Sequence, residues 1–163
     1  MEKTLVIVPS GQATVNIDEK DTEDNGITAK DAFSGSAFKI ACRYADSFAD
    51  KWIILNPIKG FITPESLLRL EDLKTHRELK ASKTSQSNDF LISTNELRNQ
   101  LIKLDLFMYD KVIGLGGKKY RTYIEKAFTG YRVRLFFPFS GLKSGEYMRA
   151  LKEAISEGQS WVQ

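Results

Sequence analysis

The chain has 163 residues, of which 42% are hydrophobic and 28% charged, and its formal net charge at pH 7 is +3. This length suits one domain, and no apolar run approaches the roughly 20 residues that a membrane-spanning helix needs. A single cysteine excludes an internal disulfide, and a single histidine argues against a zinc site. We therefore expect one cytoplasmic domain, residues 1–163, without membrane association, metal or cofactor.

Short apolar runs ended by turn residues predict strands. In chain order these runs are 5–8, 52–55, 112–115 and 131–137. Each is continuous rather than alternating, which is typical of strands covered on both faces.

Helical patterns separate these runs. Apolar residues recur at three- and four-residue spacing in 36–49, 94–108, 120–128 and 144–156. Alternation of strands and helices predicts a three-layer α/β fold, with a mostly parallel sheet of about four to five strands and helices on both faces. The polar stretches 18–31 and 80–90 are predicted to be surface loops.

Charge is distributed unevenly along the chain. Residues 1–31 carry a net charge of −4, whereas residues 111–152 hold ten basic residues and only two acids, Glu125 and Glu146. A basic C-terminal half suits nucleic acid, nucleotide or other phosphate ligands, although a solvated basic face has the same composition.

Loops rich in small and polar residues follow the predicted strands. Ligands of open parallel sheets bind beyond the carboxyl ends of the strands, and helix amino termini there attract anions. The alternative is that the glycines only make tight turns. The candidate ligand-binding residues in these loops are Ser10, Gly11, Gln12, Asn56, Lys59, Gly60, Phe61, Gly116, Gly117, Lys118, Lys119, Tyr120, Ser140, Gly141, Lys143, Ser144 and Gly145.

Known nucleotide motifs do not account for these loops. The glycines at 114, 116 and 117 lack the G-x-G-x-x-G spacing of a dinucleotide fingerprint, and residues 141–145 lack the spacing of a P-loop. Glu146, near the start of the last helix, is the candidate catalytic carboxylate, and its alternative role is to support that helix. Cys42 lies in an apolar helix stripe, and we predict that it is structural.

Several blocks resemble a bacterial and phage domain family of unknown function, DUF6884-like in type. These blocks are 31–39, 45–50, 52–64, 115–120 and 138–146. Some are also similar to the YaaA-type peroxide-stress proteins, which are linked to DNA binding. The first of these blocks contains three further candidate ligand residues, Phe33, Ser34 and Gly35, and the second candidate catalytic acid, Asp31. At 9–11 and 56–60, within the predicted site, the sequence departs from the family pattern.

These observations favour a protein that acts on nucleic acid or a nucleoside, most concretely as an N-glycosidase-like, base-excising enzyme. Gln12 or Asn56 would read a base edge, and Phe33 or Phe61 would stack on it. Lys118 and Lys119 would hold phosphate. The alternatives are a non-catalytic DNA- or RNA-binding or stress-response module, and a sensor of small nucleotides.

Overall fold

The fold is seen in a computed structural model that describes residues 2–11, 13–15, 26–69, 71–73 and 90–162. The strands are β1 (Thr4–Pro9), β2 (Ile27–Thr28), β3 (Lys51–Asn56), β4 (Gly60–Ile62), β5 (Leu67–Leu68), β6 (Lys111–Gly114) and β7 (Arg134–Phe136). The helices are α1 (Ala29–Ala32), α2 (Ser36–Phe48), α3 (Thr94–Lys103), α4 (Lys118–Ala127) and α5 (Ser144–Glu157), with a 3-10 helix at Leu106–Met108.

The main sheet has five strands in the order β4-β3-β1-β6-β7. Strands β3, β1, β6 and β7 run parallel, and only β4 pairs antiparallel, with β3. Strands β2 and β5 form a separate antiparallel pair. The predicted α/β class and mostly parallel sheet are confirmed.

Residues of the central strand β1 alternate between two cores. Val6 and Val8 pack with α2 and α5 on one face, and Leu5 and Ile7 pack with α3 and α4 on the other. Because both faces are covered, every one of these side chains is buried, which explains why the run is apolar without alternation. Each such side chain contributes about 1.5–3 kcal/mol through burial.

Two predicted elements are shorter than their apolar patterns. The helical pattern over 94–108 is interrupted because Asp105 adopts a left-handed backbone conformation with φ 55°, so α3 ends at Lys103. In the run 131–137 only Arg134–Phe136 is strand. Its partner β6 begins at Lys111, which is paired with Arg134, so the preceding residues have no strand beside them.

The predicted loop 18–31 is wrong at its C-terminal end, because β2 and the start of α1 lie there. Residues 18–25 and 80–89 are outside the described part of the chain. Strand β4 was missed because it has only three residues, which is too short for a strand pattern. It pairs with β3 along its whole length, and Gln100 Oε1 also accepts from the Phe61 backbone N–H at 2.8 Å. Among the helices that the structure describes, none has the length and apolar character to cross a bilayer.

Cys42 is half-buried on α2 and packs against the core shared with α5. Burial raises the pKa of its thiol to about 12, and the charge of Asp46 contributes. Because the thiolate is the reactive form, we expect iodoacetamide to modify the native protein at neutral pH on the order of a hundredfold more slowly than free cysteine. The control is the protein unfolded in guanidinium, and comparable rates for the native protein and free cysteine would contradict the structural role.

Candidate functional site

The sheet topology creates a crevice at the carboxyl edge, between β1 and β6. In the sheet, β3 lies on one side of β1, and β6, which comes later in the chain, lies on the other side. The helices that follow β1 and β6, α2 and α4, pack on opposite faces of the sheet. Such a switch point is where open α/β sheets bind ligands. We call this place the β1–β6 crevice, and Ser10 and Gly116 lie at its two sides.

The turn from β6 into α4 is pressed against the end of β1. Gly116 has a φ of 105°, and a Cβ atom there would lie 3.0 Å from the Pro9 side chain and 3.2 Å from Tyr120. Glycine is therefore required for both the backbone conformation and the close approach.

Among the described residues, none crowds the N-cap position of α4. Gly117 is the N-cap residue of α4, and a Cβ atom at this position would meet nothing within 4 Å. Gly117 supplies no side-chain oxygen to the first-turn amides, so this end of α4 keeps uncapped amides and the positive end of the helix dipole. The exposed side chains of Lys118 and Lys119 follow directly. This arrangement suits an anion.

Beside this turn, polar side chains from β3, from the end of β1 and from α4 lie together. The buried side chains of Asn56 and Ser10 are linked by a 3.0 Å hydrogen bond in which Asn56 Nδ2 donates to Ser10 Oγ. The Tyr120 hydroxyl lies within hydrogen-bonding reach of the Ser10 side chain and the Gly11 backbone. Burial raises the pKa of Tyr120, and these hydrogen bonds oppose part of the rise. The network fixes one wall of the crevice.

Tyr147, from the first turn of α5, brings a further hydroxyl to the Gly116 turn. The residue is only 8% exposed, and its hydroxyl oxygen is buried without a hydrogen-bond partner among the described residues. The Gly116 amide faces this oxygen without reaching hydrogen-bond geometry. Burial raises the pKa of Tyr147 above the ordinary tyrosine range, so the hydroxyl is protonated at neutral pH and able to donate. Buried polar groups of native proteins are nearly always hydrogen-bonded, so a bound ligand or water is expected as the partner of this hydroxyl.

A cavity opens at the carboxyl end of β3, next to Asn56. We call it the β3 cavity, and its volume is about 60 Å³ before it widens into open solvent. It is lined by Phe33, Asn56, Ile58, Lys59, Ile62, Leu68, Asp72 and Leu73. Lys59 and Asp72 form an ion pair with side chains 44% and 25% exposed. Desolvation tends to raise the pKa of Asp72, but the hydrogen bonds and charges of Lys59 and Arg69 outweigh it and lower the value.

The structure sorts the predicted ligand residues into groups. The β1–β6 crevice gathers Ser10, Gly11, Gly116, Gly117, Lys118, Lys119 and Tyr120. The β3 cavity gathers Phe33, Asn56 and Lys59. Gln12 lies outside the described residues.

Gly60 and Phe61 are not part of either space. Gly60 is buried beside the Gln100 side chain, and Phe61 packs edge-on against Phe128 at 6.4 Å in the core shared with α3 and α4. Phe33 belongs to the opposite core. The two aromatic candidates for base stacking are thus separated by the sheet.

The remaining candidates lie on the loop before α5 and around the start of α2. Arg121 Nη1 donates to Ser140 Oγ at 3.4 Å, and the candidates Gly141, Lys143, Ser144, Gly145 and Glu146 are all exposed on this loop and first turn. Gly35 is the N-cap of α2, and Ser34 donates its backbone N–H to Ala13 O at 3.0 Å. Exposed Asp31 accepts a 2.8 Å hydrogen bond from Thr28 Oγ1.

Sequence reasoning missed Tyr147 and Asp72. Tyr147 lies within the predicted helical pattern 144–156, and the available signal was a hydroxyl at an apolar position of that pattern, two residues after a glycine. No sequence pattern singles out Asp72, because its ion-pair partner Lys59 lies on a separate turn of the chain. The described residues contain no group of three or more His, Cys, Asp or Glu side chains that could hold a metal ion.

Comparisons with known proteins place the chain in a family. The model of DUF6884, a family of unknown function, matches residues 19–153. The chain is 31% identical over 157 residues to the uncharacterized protein YfjM of Bacillus subtilis (strain 168). The aligned residues make up 95% of this chain and 97% of that protein. No solved structure matches. With most of its length matched by the family model, the chain belongs to the DUF6884 family.

Proposed function

We propose that this protein binds the phosphate group of a nucleotide, free or within nucleic acid, in the β1–β6 crevice. The observation that carries the proposal is the Tyr147 hydroxyl, a buried donor without a partner among the described residues, facing the Gly116 turn. A phosphate oxygen there would accept from Tyr147 and from the amides at the start of α4.

Charge and topology support the same ligand class. Lys118 and Lys119 stand at the amino end of α4, within a segment that carries a net charge of +8 over residues 111–152. The switch point of an open α/β sheet is a common place for nucleotide phosphates. The resemblance of neighbouring sequence blocks to the YaaA-type peroxide-stress proteins, which are linked to DNA binding, also supports a nucleotide ligand.

A comparison of two tyrosine variants tests this proposal. Tyr147→Phe should weaken ribose 5-phosphate binding by about tenfold through loss of one donor, about 1.4 kcal/mol. It should leave the free energy of unfolding unchanged or slightly higher, because no protein hydrogen bond is lost. Binding is followed by NMR titration and stability by urea denaturation.

The matched control is Tyr44→Phe in the same core. The Tyr44 hydroxyl donates to Ser160 O at 2.6 Å, so its removal should lower the free energy of unfolding by about 1 kcal/mol and leave binding unchanged. Equal ribose 5-phosphate affinity of wild type and Tyr147→Phe would overturn the role of Tyr147 in the crevice.

A narrower candidate function is N-glycosidase-like base excision. It is favoured by the position of Glu146, an exposed carboxylate in the first turn of α5, directly before Tyr147. A carboxylate beside a bound nucleotide would stabilise a cationic sugar transition state or activate water. Its test is argued in the Discussion.

A further inference from the structure

We propose that the β3 cavity receives the base of the nucleotide whose phosphate binds in the β1–β6 crevice. The inference rests on the proposed function and adds a substrate class. The ligand is a nucleotide whose base is not stacked between neighbours, which means either a free nucleotide or a base extruded from a nucleic acid strand.

The lining of the cavity suits a flat, mostly apolar group. Phe33, Ile62 and Leu68 are each no more than 7% exposed and supply carbon surface. The Phe33 ring is held in place by Phe38, at 5.5 Å between ring centroids. The lining is mainly apolar with few polar groups, which is the character of small-molecule sites.

Asn56 connects the cavity to the crevice. It lines the cavity and donates to Ser10 Oγ at 3.0 Å, while its Oδ1 accepts from the backbone N–H groups of Ile58 and Lys59, each at 2.9 Å. The Ser10 backbone N–H in turn donates to Leu55 O at 3.0 Å. Because β1 and β3 are adjacent and parallel, both spaces open at the same edge of the sheet.

The charges at the mouth determine which end of a nucleotide enters. Asp72 carries a carboxylate there, paired with Lys59, and the interior beyond it is apolar. A phosphate inside would face that carboxylate, and the ammonium group of Lys59 in the lining is already paired with Asp72, so the lost hydration would be poorly replaced. The base is the part that the cavity can accommodate, and the phosphate belongs with the amides and lysines at the start of α4.

A cavity-filling variant tests the inference. Leu68 lines the cavity, whereas its neighbour on β5, Leu67, is 60% exposed, so Leu68→Phe and Leu67→Phe form a matched pair. We expect wild type to bind at least one of the common nucleoside 5′-monophosphates about tenfold or more tightly than ribose 5-phosphate. In Leu68→Phe the ratio of the two affinities should fall to near one, and in Leu67→Phe the ratio should stay as in wild type.

The two reference ligands separate failure of this inference from failure of the proposed function. If ribose 5-phosphate binds and the preference survives in Leu68→Phe, the base lies elsewhere and the inference is overturned. If neither ribose 5-phosphate nor any nucleotide binds, the proposed function itself fails. Should thermal unfolding show that Leu68→Phe is not folded, Ile62→Phe fills the cavity from β4 and replaces it.

A second arm distinguishes the two sources of the base. Short single-stranded and duplex oligonucleotides of the preferred base are titrated against wild type and Leu68→Phe at several salt concentrations. An extruded base predicts that single strands bind more tightly than duplex, with a loss in Leu68→Phe and a steep salt dependence. A free nucleotide predicts tight, weakly salt-dependent binding of the monophosphate and no Leu68→Phe effect on oligonucleotides. If oligonucleotides bind more tightly than the monophosphate but their affinity is the same for wild type and Leu68→Phe, the base does not lie in the cavity and the inference is overturned.

Discussion

Gly117→Asp is expected to weaken binding of ribose 5-phosphate by about a hundredfold while the protein remains folded. A Cβ atom at 117 meets nothing within 4 Å, and the φ of −82° is accessible to any residue. The carboxylate would occupy the amino end of α4, where the phosphate is proposed to bind. Two like charges about 4 Å apart repel by about 4 kcal/mol at an effective dielectric constant of 20, more than a hundredfold in affinity.

Gly117→Asn is the matched control for this variant. Aspartate and asparagine are both good N-cap residues, so each should stabilise α4 by a few tenths of a kcal/mol relative to glycine. Only aspartate adds charge. The measurements are an NMR titration at low salt and a thermal unfolding curve for each variant. If both variants lose affinity equally, the site does not hold an anion at this helix end.

Glu146→Gln has the second large expected effect, on the candidate N-glycosidase activity. If Glu146 acts on the sugar in the transition state, the variant should lower base release by about 10²-fold or more, because the amide keeps the shape and loses the charge. Binding should survive. The free energy of unfolding should change by only about 0.3–1 kcal/mol, the contribution of a carboxylate at a helix start.

Glu153→Gln serves as the control, since Glu153 is also exposed on α5 but lies farther along the helix. Base release is measured from modified and unmodified single-stranded DNA, with oligonucleotide binding in parallel. Undiminished release by Glu146→Gln would remove Glu146 from the chemistry. Absence of release by wild type on every substrate, together with a slightly higher oligonucleotide affinity of Glu146→Gln, would favour a binding module over an enzyme.

Local pattern was sufficient for much of the fold. Continuous apolar runs identified β1, β3 and β6, because strands buried on both faces need apolar residues at every position. Helical periodicity located α2, α4 and α5 to within a few residues. The glycine-rich turn at 116–117 was recognised as a candidate anion site because a strand leading into a helix leaves backbone amides unsatisfied.

Tertiary structure decided which of these pieces meet. Ser10 and Gly116 share a crevice only because β6 joins β1 on the side opposite to β3, and nothing in either segment specifies that side. Phe33 and Phe61 are equivalent as apolar residues in sequence, yet the sheet separates them into different cores. Periodicity reports that a side chain is buried, but strand order determines what it is buried against.

The polar chemistry of the site depended on tertiary structure most of all. In the sequence Tyr147 is an ordinary inward-facing residue of a helix, and that its hydroxyl has no partner among the described residues is seen only when α5 packs beside the Gly116 turn. The ion pair of Lys59 and Asp72 likewise joins residues from separate segments. By itself the sequence determined the class of fold, and it predicts the edge of the sheet as the place for a ligand. Only the packed structure decided which donors lack partners there, because hydrogen-bond satisfaction is a property of three-dimensional neighbours and has no periodicity along the chain.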